Sequence, residues 1–160
     1  MSYLLDTNVI SELRKSERRA DASVRTWVAA RATSDLYISV ITILEVEVGI
    51  WRLNRRDGAQ AERLQRWFDE ELLDAFAGRV LPVDVPVARR AARMHAPDPR
   101  PERYALIAAT AAVHGFAVVT RNVKDFVPLD VAVINPWDND TNSSSTGNGS
   151  AWPDSEGLQH

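Results

Sequence analysis

The chain has 160 residues, a formal net charge of −3 and no cysteine. This length suits one domain with a single hydrophobic core. Without cysteine there are no disulfides and no thiolate metal ligands, so any metal would need oxygen or imidazole ligands, and a reducing cytoplasm is the expected setting. The slight negative charge argues against a protein that coats nucleic acid nonspecifically, because that requires clustered Lys and Arg.

Two features qualify this picture. The N-terminus meets Asp6 after five residues and no later apolar run has membrane-spanning length, so we expect a cytoplasmic protein without a membrane segment. Basic side chains are clustered at residues 14–19 and 52–56. Each cluster is either solvated surface or part of an RNA-contacting rim, and the sequence leaves both readings open.

Apolar patterning predicts alternating strands and helices. The predicted strands cover residues 3–5, 36–40, 80–83, 116–120 and 131–134. The predicted helices cover residues 9–13, 21–31, 42–54, 59–76, 86–94 and 105–113. This alternation predicts an α/β fold with a parallel sheet of about five strands and helices on both faces.

The final segment differs in composition from the rest of the chain. Residues 138–160 are rich in Asn, Ser, Thr and Gly and contain few apolar side chains. Such a segment buries too little apolar surface to offset the entropy lost on ordering. We therefore expect one domain at residues 1–137 and a disordered, low-complexity tail at residues 138–160.

Asp6 is the first acid that follows a predicted strand. It stands where residues 3–5 end and a helix begins. In a parallel α/β sheet this is the edge at which binding sites form. The alternative is that Asp6 or Asn8 only caps the helix, as Asp and Asn often do.

Glu45 follows the second predicted strand. Together with Thr42 it has the spacing of a capping box, in which the glutamate only satisfies a backbone N–H. The competing interpretation is that Glu45 projects from the same edge of the sheet as Asp6. Glu47, two residues further on, is about 200° round the helix and is expected to face elsewhere.

Asp125 follows the strand at residues 116–120 and is, taken alone, a common loop acid. Three acids after three parallel strands nevertheless converge on one cleft. Clustered carboxylates raise one another's pKa unless a cation is present, and hard oxygen ligands favour Mg²⁺ or Mn²⁺.

Three motifs resemble one known family. They are LLDTNVISEL at residues 4–13, SVITILEVEVGI at residues 39–50 and ALIAATAAVHGFAVVTRNVKDF at residues 105–126. In this order they closely resemble PIN-domain toxins of the VapC and FitB type, and the resemblance covers residues 3–137. It implies a PIN-like three-layer α/β/α fold and an Mg²⁺-dependent endoribonuclease, with Mn²⁺ as an alternative metal. It also implies a cognate antitoxin, an RNA substrate and a homodimer or larger assembly.

The resemblance also assigns residues. Asp6, Glu45 and Asp125 match catalytic metal ligands, while Thr120 and Asn122 match polar residues beside the cleft that would contact substrate. Arg121 and Lys124 in the same loop would meet the RNA backbone. For the dimer, we expect an interface at apolar helical surfaces around Trp51 and Trp67, unless both tryptophans belong to the core.

One position departs from the family pattern. Tyr104 stands immediately before the ALIAATA helix, where relatives usually carry aspartate. A phenol with an ordinary pKa near 10 is a poor Mg²⁺ ligand at neutral pH. Glu102 or Asp98 would have to replace the missing acid; otherwise the enzyme is weakened or inactive.

Two other functions compete with a toxin ribonuclease. The first is a noncatalytic PIN module that keeps antitoxin binding and dimerisation. The second is a phosphotransferase of the haloacid-dehalogenase type, which is disfavoured because that chemistry needs an acid two residues after the first aspartate and the chain has Asn8 there.

Overall fold

A computed structural model of the chain describes residues 1–138. Its centre is a sheet of five strands in the order β3-β2-β1-β4-β5, and every neighbouring pair is parallel. The strands are β1 (Tyr3–Leu5), β2 (Leu36–Ser39), β3 (Val80–Leu81), β4 (Ala117–Val119) and β5 (Val133–Ile134). The predicted parallel α/β sheet is therefore confirmed.

Helices connect these strands. They are α1 (Thr7–Leu13), α2 (Ala22–Ala29), α3 (Val40–Asn54), α4 (Gly58–Trp67), α5 (Leu73–Ala75), α6 (Val85–Met94), α7 (Glu102–His114) and α8 (Val123–Phe126). A π-helical turn, Phe68–Leu72, lies between α4 and α5, and two short 3₁₀ turns cover Thr33–Asp35 and Val127–Leu129.

The two faces of the sheet bury different helices. Because side chains alternate along a strand, Leu5 of β1 packs with buried residues of α1, α2, α3 and α4. Its neighbour Leu4 packs on the other face with Ile107 and Ala111 of α7, and α6 packs on α7 through Val87 and Ala109. The molecule is therefore a three-layer α/β/α domain, as expected.

The start of α3 differs from the sequence-based expectation. Ser39 caps the helix, because its hydroxyl accepts a hydrogen bond from the Ile41 N–H at 3.0 Å. Thr42 instead lies fully buried inside the helix. The capping-box interpretation of Thr42 and Glu45 is therefore wrong, since Glu45 lies beyond the first turn of α3.

The single helix expected over residues 59–76 is interrupted by the π-helical turn. A π turn spaces its hydrogen bonds over five residues and so alters which side chains share a face. Here Phe68 and Leu72, within the turn, and Phe76, after it, are all buried. Gly78 follows with a φ of 78°, a conformation that glycine adopts without strain.

Two further expectations concern the surface. Trp51 is 64% exposed on α3, so the predicted apolar surface around it is present. Trp67 is 8% exposed and belongs to the core, so the prediction of an exposed surface around Trp67 is wrong. Within residues 1–138, no helix is long and apolar enough to cross a bilayer. Residues 139–160 of the expected tail lie outside the described residues.

The adjacent leucines 72 and 73 provide a test of the core. Leu72 is 2% exposed and Leu73 is 36% exposed. Leu72→Ala should lower the free energy of unfolding by about 2–5 kcal/mol, because it leaves a cavity in the core. Leu73→Ala should cost clearly less. Urea unfolding followed by circular dichroism measures both, and equal losses would contradict the packing described for the π-helical turn.

Candidate active site

Asp6 is the most buried carboxylate of the candidate site, with 3% of its surface exposed. One carboxylate oxygen accepts a hydrogen bond from the Thr7 N–H at 2.8 Å, and the other accepts one from the Thr120 hydroxyl at 2.7 Å. The helix-capping role considered above is therefore confirmed. The same carboxylate also joins the carboxyl end of β1 to the residue that follows β4.

Thr120 connects Asp6 to a wider polar network. Its hydroxyl oxygen accepts hydrogen bonds from the Asn8 side-chain amide at 3.2 Å and from the Asn122 N–H at 3.0 Å. The Asn8 carbonyl oxygen in turn accepts a long hydrogen bond from the Arg121 N–H at 3.4 Å. Sequence reasoning missed this role of Asn8. Its position two residues after Asp6, in the first turn of α1, was the available signal.

Glu45 of α3 lies close enough to Asp6 for their charges to interact. Burial raises the pKa of Glu45, and the charge of Asp6 raises it further. Arg103, at the start of α7, and a hydrogen bond from Thr7 lower it in part. Sequence reasoning missed Arg103, because only the packing of α7 brings this residue close to Glu45.

Asp125 lies in α8, on the solvent side of the cleft. Burial raises the pKa of Asp6, and the charge of Asp125 raises it further, against the lowering effect of the hydrogen bonds from Thr120 and Thr7. The structure thus places Asp6, Glu45 and Asp125 at the same edge of the sheet. Their assignment as metal ligands stays a prediction.

Tyr104 lies among these acids. Burial raises the pKa of its phenol, and the charges of Asp125, Asp6 and Glu45 each raise it further. The Asn122 side-chain amide lies 3.4 Å from the hydroxyl oxygen, and the ring packs edge-on against Phe126 with centroids 5.3 Å apart. The phenol is therefore neutral at neutral pH and occupies space next to three carboxylates.

The possible replacements for the missing acid lie at the surface. Glu102, in the first turn of α7, and Asp98, in the preceding proline-rich loop, are both exposed. Arg121 and Lys124 are also exposed beside the cleft, and the Arg121 guanidinium lies 5.4 Å from the centre of the Trp137 ring. Glu47, as expected, faces away from the cleft and meets Gln65 of α4 at 3.4 Å.

The acids match a divalent metal in chemistry but not fully in spacing. Carboxylate oxygens are the ligands that Mg²⁺ prefers, and a cation would offset both the burial and the mutual repulsion that raise the pKa of Asp6 and Glu45. Across residues 1–138, however, no group of three or more His, Cys, Asp or Glu side chains is arranged closely enough to hold a metal ion. Tyr104 adds only a neutral phenol beside these acids.

The fold and the site define an α/β domain with a parallel sheet and a cluster of acids at one edge. The family model described as PIN domain matches residues 3–128. The chain belongs to the PIN-domain family.

Individual relatives agree with this assignment. The chain is 38% identical to the VapC ribonuclease Y4jK of Sinorhizobium fredii over an aligned length of 140 residues, and the match covers 84% of this chain and 97% of the relative. It is 38% identical to the toxin FitB of Neisseria gonorrhoeae over 141 residues, again 84% and 97% of the two chains. The crystal structure of FitAcB from Neisseria gonorrhoeae superposes with a TM-score of 0.76 and 36% identity, covering 84% of this chain and 98% of that one.

The raised pKa of Asp6 generates a prediction about stability. Its folded-state pKa lies above the unfolded value, so the stability contributed by the protonated carboxyl is present below about pH 4 and is lost as the pH rises through the folded-state pKa. In Asp6→Asn this loss is absent. The free energy of unfolding of the variant, relative to the parent, should therefore increase between pH 4 and pH 7.

Urea unfolding of both proteins in EDTA across this pH range measures the difference. Asp74→Asn is the matched control, because Asp74 is exposed and lies outside the cleft. A difference between Asp6→Asn and the parent that does not change with pH would contradict the electrostatic description of the cleft.

Proposed function

We propose that the chain is the toxin of a toxin–antitoxin pair and an Mg²⁺-dependent endoribonuclease, with Mn²⁺ able to replace Mg²⁺. The observation that carries this proposal is the placement of Asp6, Glu45 and Asp125 at one edge of the sheet with charges that interact. Such repulsion is unfavourable unless a cation or a proton offsets it. The names ribonuclease and toxin, carried by relatives at 38% identity, support the same function.

The residues of the cleft have distinct tasks in this proposal. A bound divalent cation would lower the pKa of a water and neutralise charge on the scissile phosphate. Asp6, with both carboxylate oxygens fixed by hydrogen bonds, would hold the ion from the floor of the cleft, and Glu45 and Asp125 would hold it from the sides, directly or through water. Thr120 is fully buried, and its hydroxyl, which donates to Asp6, positions that carboxylate.

The loop after β4 supplies the other proposed contacts with RNA. The exposed side chains of Arg121 and Lys124 can meet backbone phosphates, which supply most of the affinity in nonspecific nucleic-acid binding. Asn122 donates from its backbone to Thr120 and from its side chain towards Tyr104, so it orients the loop relative to the cleft.

Tyr104 gives this site a lower metal affinity than four carboxylates would give. The neutral phenol adds no negative charge, and its ring, held against Phe126, occupies space beside Asp6, Glu45 and Asp125. We therefore propose a weakened enzyme that needs high Mg²⁺ concentrations.

A ribonuclease of this kind would act on the RNA of the cell that makes it. A bound inhibitor is therefore needed, and we propose a cognate antitoxin as the protein partner, in keeping with the toxin among the relatives.

A homodimer is proposed from the outer face of α3. Val40, Leu44 and Trp51 are 39%, 48% and 64% exposed, respectively. At 100° per residue these three side chains lie within about 40° of one another around the helix. They form an apolar stripe that is interrupted by Glu47, which lies in the same sector of the helix and contacts Gln65. Burial against a second copy would remove the three apolar side chains from water.

The alternative function is a noncatalytic PIN module that keeps antitoxin binding and dimerisation. Two points favour it: Tyr104 stands where the resembled family usually carries aspartate, and the described residues form no closed cluster of metal ligands. Purified protein that cuts no RNA at any Mg²⁺ or Mn²⁺ concentration, together with normal growth when the protein is produced without its partner, would establish this alternative.

Tyr104→Asp tests the proposed cause of weakened activity. Aspartate adds an anionic oxygen ligand and removes the ring from the cleft, so both Mg²⁺ affinity and RNA cleavage should increase. A gain of 1.4 kcal/mol in transition-state stabilisation corresponds to a rate about tenfold higher, and we expect at least this change. Cleavage of a fluorescent RNA across Mg²⁺ and Mn²⁺ concentrations measures it, and calorimetry with Mg²⁺ alone measures the affinity.

Tyr104→Phe is the matched control, because it removes the hydroxyl without adding a carboxylate and should not gain activity. Asp6→Asn in the Tyr104→Asp background should abolish cleavage. If the parent already cleaves as fast as Tyr104→Asp, the tyrosine is no defect and the acids present suffice.

The dimer is tested by light scattering at micromolar concentration. The parent should have about twice the 17.8 kDa mass of one chain. Trp51→Glu should shift it towards monomer because a charge in the apolar stripe would be desolvated on association. Ala59→Glu, which adds the same charge at an exposed position of α4, should leave the mass unchanged. A monomeric parent would refute the dimer.

A further inference from the structure

A groove with a volume of about 240 Å³ lies between α1, α3 and α4. Its apolar lining includes Ile10, Ile50, Leu64 and Trp67. On α3 the groove residues Gly49 and Leu53 each lie about 160° round the helix from Trp51. The groove is therefore a surface separate from the proposed dimer face.

Two arginines line the same groove without a partner of opposite charge. Arg14 follows α1 and Arg56 follows α3. Among the described residues, neither guanidinium forms an ion pair. Burial lowers the pKa of Arg14, and the charge of Arg19 lowers it further. Arg14 is therefore partly desolvated, and the charge that acts on it is another positive one. The groove thus offers apolar surface with two unpaired positive charges beyond the ends of α1 and α3, while Glu45, the acid in the lining, lies in the first half of α3. The basic end suits an acidic segment with apolar anchors.

The C-terminal part of this chain has that chemistry. Residues 139–160 contain Asp140, Asp154 and Glu156 but no Lys or Arg. Apart from Ala151 and Pro153, their apolar side chains are Trp152 and Leu158, which are large enough to anchor in a groove. In an extended segment alternate side chains point the same way, so a bound segment would present Trp152, Asp154, Glu156 and Leu158 together.

The connection is long enough for this segment to reach the groove. Trp137, next to the last described residue, packs against the same core cluster as Ile10, Ile50 and Trp67. The chain therefore leaves the domain on the face of the sheet that carries the groove. Thirteen residues separate Asp138 from Trp152. Fully extended they span about 45 Å, whereas a domain of this size has a radius of gyration of only about 14 Å.

We propose that residues 152–158 bind in this groove of their own chain, with Trp152 and Leu158 against its apolar lining and Asp154 and Glu156 paired with Arg14 and Arg56. A tethered segment has an effective concentration in the millimolar range, so a weak contact suffices for it to bind. Because Thr7 and Glu45 also line the groove, the bound segment lies beside the acidic cleft. The proposal is independent of RNA cleavage.

The test uses the full chain with one spin label. The chain has no cysteine, so Ser155→Cys supplies a single thiol for a nitroxide. In the ¹⁵N spectrum, we expect loss of amide signals near the groove, at Ser11, Gly49 and Leu64, and unchanged signals at Val87 and Ala91 of α6. Signal loss spread evenly over the domain, or none at the groove, would overturn the proposal.

Charge variants test the pairing. Arg56→Glu, at an exposed position, and Arg14→Glu/Arg56→Glu should each restore the groove signals. Arg89→Glu/Arg93→Glu is the matched control, because it makes the same charge change on exposed positions of α6 and should leave the signal loss intact. Asp154→Arg/Glu156→Arg should return the loss in the Arg14→Glu/Arg56→Glu background. Charge reversal of the groove without effect would contradict the proposed contacts.

Mixing experiments separate this occupant from others. Spin-labelled chains without ¹⁵N are mixed with ¹⁵N-labelled chains without the spin label. Signal loss in the mixture equal to that in the doubly labelled chain would assign the groove to a second copy and overturn binding within one chain. Binding within one chain would also be refuted if the groove signals changed only when antitoxin or a short RNA was added.

Discussion

The buried carboxylate of Asp6 is the interaction on which the acidic edge of this protein depends. An ionised carboxylate out of water is costly unless hydrogen bonds satisfy it. The Thr7 N–H and the Thr120 hydroxyl do so, and in the process they tie the end of β1 to the end of β4. The Thr120 hydroxyl oxygen also accepts hydrogen bonds from the Asn8 side-chain amide and the Asn122 N–H. These bonds position the loop after β4 next to the Asp6 carboxylate.

This arrangement explains why Tyr104 matters more than its single position suggests. The charges of Asp6, Glu45 and Asp125 all act on its phenol, and burial acts in the same direction, so the proton is retained. With its proton retained, the Tyr104 phenol is neutral, whereas an aspartate at this position would be an anion that could balance the charge of a cation. The packing against Phe126 also fixes the ring, so the difference from aspartate is one of both charge and occupied volume.

Helix α3 shows how one element serves several surfaces. Glu45 interacts with Asp6 at the cleft, Ile50 lines the groove beside α1 and α4, and Trp51 faces solvent. These positions follow from the 100° step between residues, once the helix start is fixed at Val40 by the Ser39 cap. The acidic cleft and the basic, apolar groove share Thr7 and Glu45, so a ligand in one lies close to the other.

The sequence by itself determined the alternation of strands and helices, the parallel sheet and the positions of Asp6, Glu45 and Asp125 after three strands, because periodicity and short-range order are local properties. Only the tertiary structure decided that Trp67 is core while Trp51 is exposed, that Ser39 rather than Thr42 caps α3, and that Asn8 and Arg103 act on the site. In the sequence alone, Thr42 is as good a helix cap as Ser39, and Trp51 is as good a candidate for the core as Trp67. Burial, hydrogen bonding and electrostatic coupling depend on which distant elements meet, and no local pattern records that.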